Sequence, residues 1–170
     1  MIDRAYMQLA LELATRAEPA PNPRVGAVIV RESQLVGSGY HERAGGPHAE
    51  IVALARAGAA ASGATLFVTL EPCNHFGRTP PCVDAILRSG IARVVIGCGD
   101  PNHGVAGGGA NRLRAAGIDV AENVLAEQAR ELIAPWIESL TRPARPASPK
   151  ISWFSSSTRN GRRLALGLAR

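Results

Sequence analysis

The sequence predicts an α/β protein, a three-layer α/β/α sandwich around a mixed five-stranded sheet. Short apolar runs suited to buried strands alternate with segments of helical character, in the order α-β-β-α-β-α-β-α-β-α. The first two strands are adjacent and read as a hairpin, whereas every later strand follows a helix, so the sheet mixes orientations and is covered on both faces. The chain has 170 residues, 46% of them hydrophobic, which is enough for one domain with a sizeable core. No apolar run is long enough to cross a bilayer.

Residues 2–17 read as the first helix, with Tyr6, Leu9 and Leu13 at helical spacing. Pro19-Ala20-Pro21-Asn22-Pro23 stops it and forms a stiff loop. Val25 to Val30 is a short apolar strand, and Gln34 to Tyr40 returns after a turn near Glu32-Ser33. Gly45-Gly46-Pro47 introduces a helix from His48 to about Ala60, with Ile51, Leu54 and Ala55 expected on its inner face. Ala64 to Leu70 is a strand and Glu71 to Thr79 an irregular loop. Pro80-Pro81 opens the next helix, where proline is tolerated in the first turn, and Gly90 ends it. Arg93 to Cys98 is a strand, Asp100 to Gly104 a loop, Asn111 to Ala116 a short helix, Ile118 to Ala121 a short strand and Leu125 to Leu140 the last helix.

The charge divides sharply. Overall there are 19 Lys+Arg and 14 Asp+Glu, a net of +5, yet residues 141–170 hold seven basic residues and no acidic one. Residues 1–140 therefore carry 12 basic and 14 acidic residues, a net of −2. The basicity belongs to the tail, and the body has no excess that would argue for nucleic acid. Met1 to Tyr6 lacks a signal-peptide pattern, and three cysteines suit a reducing cytoplasm better than a disulfide framework.

The chemistry lies in His48-Ala49-Glu50, Pro72-Cys73 and Cys82. One imidazole and two thiolates fill three positions of a tetrahedral Zn²⁺ and leave the fourth open, as in a catalytic rather than a structural site. Zinc so held brings the pKa of water to roughly 7. Glu50, two residues from His48, is placed to carry a proton as general acid and base. The order H-x-E…P-C-x-x-C marks zinc-dependent base deaminases, in which the glutamate is not a ligand. This sequence departs from it only in the gap between the cysteines, where eight residues, Asn74-His75-Phe76-Gly77-Arg78-Thr79-Pro80-Pro81, replace two. Taken singly, each of these residues reads as structural; together and in this order, coincidence is a poor explanation. Cys98, in an apolar strand, reads as a core thiol.

Several further residues have the right chemistry for a phosphorylated nucleoside-like ligand. His75, Arg78 and Thr79 offer a cation, a planar donor fork and a hydroxyl for phosphate or ribose oxygens. Asn22 offers a donor and an acceptor for a base edge. His41, Asp100 and Asn102 stand at strand ends. Each also has a plain reading: Asn22 between prolines as a turn residue, His41 as an exposed strand end, Asp100-Pro101-Asn102 as a turn. Gly107-Gly108-Gly109 lacks the spacing or the lysine of a phosphate loop and reads as a turn.

The long cysteine loop, with Pro21 to Val30, Gly39-Tyr40-His41, Val68 to Cys82 and Asp100-Pro101-Asn102, resembles the deaminase domain of the bifunctional riboflavin-biosynthesis deaminase/reductases. The resemblance covers roughly residues 1–140. It implies a cytidine-deaminase-like fold, a Zn²⁺ cofactor on His48, Cys73 and Cys82, and Glu50 as the proton carrier. It further implies deamination of 2,5-diamino-6-ribosylamino-4(3H)-pyrimidinone 5′-phosphate. Under it, Asn22, His41, His75, Arg78, Thr79, Asp100 and Asn102 become substrate contacts, His75 is no zinc ligand, and self-association is expected. One departure is His103, where the family continues with proline.

The family continues into a reductase domain. Here Pro149-Lys150-Ile151 is compatible with its first strand, and Ser157 to Arg162 resembles an eroded form of its next turn. Thirty residues cannot fold a dinucleotide-binding domain. The expectation is a deaminase domain at 1–140 without reductase activity, followed by a basic Pro/Ser/Arg-rich tail at 141–170. Two alternatives stay open at this level: a nucleic-acid or nucleoside deaminase using that tail, and a zinc-binding relic without catalysis. The acidic body and 4% aromatic content count against nucleic acid.

Overall fold

Among the described residues, five α-helices and five strands follow one another in the expected order. A computed structural model describes residues 2–77, 80–101 and 108–141. The elements are α1 (Ile2–Ala14), β1 (Gly26–Arg31), β2 (Gln34–Tyr40), α2 (Ala49–Ala57), β3 (Thr65–Leu70), α3 (Cys82–Ser89), β4 (Arg93–Cys98), α4 (Gly109–Ala115), β5 (Asp119–Ala121) and α5 (Ala126–Thr141), with a 3₁₀ turn at Gly58–Ala61. The sheet order is β2-β1-β3-β4-β5. β1 runs antiparallel to both β2 and β3, and β3, β4 and β5 are parallel. The hairpin turn places Glu32 at φ 50° and Ser33 at φ 62°. Two successive positive φ values define the mirror-image turn whose twist matches the flanking strands.

Strand pairing assigns the layers. Ala27 pairs with Gly39 and Ile29 with Gly37, so these four residues share one face. α2 lies directly on that face: a Cβ at Gly39 would sit 2.7 Å from the Ala49 carbonyl oxygen, and one at Gly37 2.4 Å from that of Ala53. Val28 pairs with Phe67 on the opposite face, where the Tyr6 ring of α1 meets Phe67 at 5.2 Å between centroids. α5 packs beside α1, while α2, α3 and α4 touch in series on the other side. The three-layer α/β/α sandwich is therefore the observed fold.

Two helix faces differ from the sequence expectation. α1 buries Met7, Ala10, Leu11 and Ala14, whereas Leu9 is exposed. α2 buries Ala49, Glu50, Ala53 and Ala57; Ile51 and Leu54 are only half-buried and Ala55 is exposed. The reason is the glycine-bearing strand beneath α2. Close approach to Gly37 and Gly39 admits alanine but not a branched side chain, so the small residues turn inward. We predict that Gly39→Ala lowers the unfolding free energy by about 2–3 kcal/mol, read from urea denaturation. The nearest atoms to the new methyl are helix backbone and Val52 Cβ, so α2 itself must move.

Several element ends differ from the sequence expectation. α1 stops at Ala14 rather than residue 17. Pro81 is the N-cap of α3, not part of its first turn. α4 begins at Gly109, inside the triple glycine, and α5 runs through Pro135. Arg93 ties three elements together, donating to both Asp3 carboxylate oxygens at 2.9 Å and to Asp119 at 2.9 Å. Its guanidinium holds the Asp3 carboxyl below the usual carboxylate range. Among the described residues, no helix is long and apolar enough to cross a membrane.

Candidate active site

Loops gather beyond the C-terminal ends of β3 and β4, the position where parallel sheets leave room for a ligand. β3 delivers Glu71-Pro72-Cys73 there, and β4 delivers Asp100. Facing them are the N-termini of α2 and α3, the end of β2 with His41, and the 19–23 loop with Asn22.

His48 is the N-cap of α2, with extended backbone (φ −70°, ψ 159°) and no side-chain capping bond. Its imidazole is thus spared for another task. Nδ1 lies 3.2 Å from Cys82 Sγ and 3.6 Å from Cys73 Sγ. Cys82 opens α3, and its backbone N–H donates to Cys73 Sγ at 3.3 Å. The free N–H groups and positive end of α3 so face the Cys73 sulfur, which favours a thiolate.

His48, Cys73 and Cys82 form a group whose donor atoms all lie within 4.8 Å of one another and which could hold a metal ion. A tetrahedral ion with bonds of about 2.0 Å to nitrogen and 2.3 Å to sulfur separates N and S by about 3.5 Å. The two N–S distances, 3.2 and 3.6 Å, bracket that value, so the donor set fits a zinc-sized ion. His75 is not in the group, which leaves a fourth position open among the described residues.

The protonation pattern of the metal-free cluster is asymmetric. A hydrogen bond from the Cys82 thiol, assisted by His48, brings Cys73 down to about 4. Cys82 is pushed up, first by that same hydrogen bond to the Cys73 thiolate and then by burial. The Cys73 thiolate likewise raises His48. A metal that needs both sulfurs as thiolates must displace the protons they hold. Cys98 stands apart: burial pushes its thiol up to about 11, and it donates to the Thr69 carbonyl at 3.5 Å, as a core thiol does.

Glu50 sits in the first turn of α2, 3% exposed. Burial raises its carboxyl above the usual range, against the opposing pull of His48. A carboxyl so placed is held toward its protonated form, which suits a group that must give up a proton as well as take one.

His41 is not an exposed strand end; it is 3% exposed and satisfied at both nitrogens. Nδ1 lies 3.0 Å from the Pro47 carbonyl oxygen, an obligate acceptor, so Nδ1 carries the hydrogen. In the neutral ring Nε2 then accepts from Asn22 Nδ2 at 2.9 Å. Desolvation lowers the His41 pKa and keeps the ring neutral. The chain of bonds fixes the Asn22 amide and leaves its Oδ1 as the free acceptor. His41 also packs edge-on against His48, with centroids 5.3 Å apart.

A cavity of about 310 Å³ is lined by Asn22, His41, His48, Glu50, Cys73 and His75, with Glu71, Asp100 and Trp136 among the remaining walls. A second, of about 400 Å³, shares Asn22, His48, Cys73 and His75 and extends past Gly45-Gly46 to Gly77. Among the described residues, His75 Nδ1 is buried without a hydrogen-bond partner. Arg78, Thr79 and Asn102 lie outside the described residues, as do His103 and the 142–170 tail. Glu71 is not singled out by the sequence reading. It accepts from Ala110 N at 3.0 Å and Asp100 N at 3.3 Å, linking strand end, loop and α4. Its partners are 39 and 29 residues away, so no local pattern marks it.

A helix-borne histidine and glutamate facing two cysteines across the end of a mixed sheet is the layout of a hydrolytic base deaminase. Residues 1–98 match the family model for the cytidine and deoxycytidylate deaminase zinc-binding region. The chain is 57% identical over 143 residues to riboflavin biosynthesis protein RibD of Aquifex aeolicus, covering 83% of this chain and 40% of that protein. It is 50% identical over 133 residues to the diaminohydroxyphosphoribosylamino-pyrimidine deaminase of Buchnera aphidicola, covering 77% of this chain and 90% of that one. The structure of Acinetobacter baumannii RibD superposes with a TM-score of 0.79 at 47% identity, over 81% of this chain and 40% of that one. The chain belongs to the zinc-binding cytidine and deoxycytidylate deaminase family and, within it, to the diaminohydroxyphosphoribosylamino-pyrimidine deaminases. It spans about two fifths of the length of the RibD protein of Aquifex aeolicus.

Proposed function

We propose that the chain hydrolyses an exocyclic amino group from 2,5-diamino-6-ribosylamino-4(3H)-pyrimidinone 5′-phosphate. The products are the 5-amino-6-ribosylaminouracil 5′-phosphate and ammonia, a step of riboflavin biosynthesis. The observation that carries this reading is the buried Glu50 lining one ligand-sized cavity with His48 and Cys73, two members of the group that Cys82 completes. The names of relatives that share about half of its residues supply the substrate.

His48 Nδ1 and the Cys73 and Cys82 thiolates would hold Zn²⁺, which, when bound, makes hydroxide available at neutral pH. Glu50 takes the proton of the attacking water and returns it to the departing amine. The C–N bond breaks, the water oxygen stays on the ring carbon, and ammonia leaves with no change in oxidation state. Asn22 Oδ1, aimed by His41, accepts from a donor on the base. His75, with its unpartnered Nδ1, faces the junction of the two cavities and suits the ribosyl phosphate. Arg78, Thr79, Asp100 and Asn102 complete that contact by their chemistry. Unpaired thiolate ligands demand a reducing compartment, consistent with the cytoplasm.

The test is ammonia release from the phosphorylated pyrimidine, cytidine and a single-stranded oligonucleotide in parallel. Turnover of the phosphorylated pyrimidine is expected to exceed the others by on the order of 10³-fold or more, because polar groups placed for one ligand are left unpaired by another. Activity confined to the oligonucleotide would overturn the assignment.

A further inference from the structure

One guanidinium bridges the two cysteine segments. Asn74 directly follows Cys73, and Asp84 lies two residues after Cys82. Arg112 on α4 reaches both: Nη1 donates to Asn74 Oδ1 at 2.9 Å, and Nη2 lies 2.6 Å from Asp84 Oδ1. α4 is pressed against the same stretch by two more contacts. Glu71 accepts from Ala110 N, and a Cβ at Gly109 would sit 2.1 Å from the Pro72 carbonyl oxygen. Residues 71, 72 and 74, on both sides of Cys73, therefore all touch this one short helix.

We propose that Arg112 is a positioning residue for the metal centre, holding the Cys73 and Cys82 segments at ligand spacing before the metal arrives. The proposal rests on the reading of His48, Cys73 and Cys82 as zinc ligands. Cys73 sits on irregular backbone and Cys82 on a helix start, so their separation is not set by one rigid element. Backbone N–H groups of Cys82 and Val83 reach Cys73 Sγ and its carbonyl oxygen, each at 3.3 Å; a planar fork that engages a partner on each segment braces that spacing from behind, and groups behind metal ligands act on affinity in this way. The Arg112 side chain is 44% exposed, so its ion pair adds little to global stability. Metal affinity and fold stability are thereby separable.

The experiment is zinc competition against a chromophoric chelator on the full chain, with thermal melting of the metal-free protein alongside. Arg112→Ala is expected to weaken zinc binding by about 10–100-fold with little change in the metal-free Tm. Arg112→Lys, a point charge that cannot span both partners, should recover only part of the loss. Asn74→Ala and Asp84→Asn should each reproduce part of it, and they carry the same test if Arg112→Ala does not fold. Zinc affinity within twofold of wild type in Arg112→Ala, or in the Asn74→Ala/Asp84→Asn pair, would overturn the proposal. Failure of the wild-type chain to take up zinc at all would instead overturn the ligand reading beneath it.

Discussion

Glu50→Gln is expected to abolish deamination while leaving the metal in place. The amide matches the carboxylate in shape, so the packing of α2 against the sheet is kept. It cannot take a proton from water or return one to the leaving amine. General acid–base groups contribute about 10²–10⁴-fold, and in the proposed mechanism Glu50 serves both proton transfers, so kcat should fall toward the upper end of that range. Zinc content should stay at about one per chain, since Glu50 is not in the donor group. The metal-free protein should be no less stable than wild type at pH 7. Burial holds the Glu50 carboxyl above its ordinary value. Such a group favours the folded state below its unfolded pKa and loses that contribution as pH rises through the folded one. A neutral amide escapes this loss. Kinetics, metal analysis and denaturation on one preparation decide the matter. Loss of zinc together with activity would recast Glu50 as a structural support of the metal site.

The second large effect belongs to Cys82→Ala. It removes one of three donors yet keeps the backbone N–H that supports the Cys73 sulfur. A histidine and one thiolate do not make a zinc site of useful affinity. Zinc should fall from about one per chain to near zero on dialysis, and ammonia release should go with it. Wild-type zinc binding should also release protons, because both cysteines must be thiolates to bind the metal. Full zinc retention in Cys82→Ala would remove the basis for the whole site.

How much was legible beforehand differs by residue. His48, Glu50, Cys73 and Cys82 are readable because the chemistry needs those residue types and the chain places them in one order. The core strands are equally plain: β1, β3 and β4 are short apolar runs, and the structure buries them almost entirely. Apolar size is a poor guide to the inner face of α2, and on α1 it fails at Leu9 while Tyr6 and Leu13 pack against the core. Gly37 and Gly39 reverse that guide for α2, since a helix resting on bare backbone turns alanine inward. The start of α4 at Gly109 was missed for a related reason. Glycine usually ends helices, but here Glu71, remote in sequence, accepts the Ala110 N–H that a local cap would have taken.

Local sequence by itself determined the alternation of strands and helices, the division of charge between body and tail, and the identity of the donor set. These depend on residue type and on spacing within a few turns. Tertiary structure alone decided the strand order β2-β1-β3-β4-β5, the burial of His41 with its fixed tautomer and the Asn22 amide it aims, and the reach of Arg112 to both cysteine segments. Each of these joins groups far apart in the chain, 38 residues in the case of Arg112 and Asn74. Such contacts form only when packing of the sheet and its two helical layers closes the loops between them.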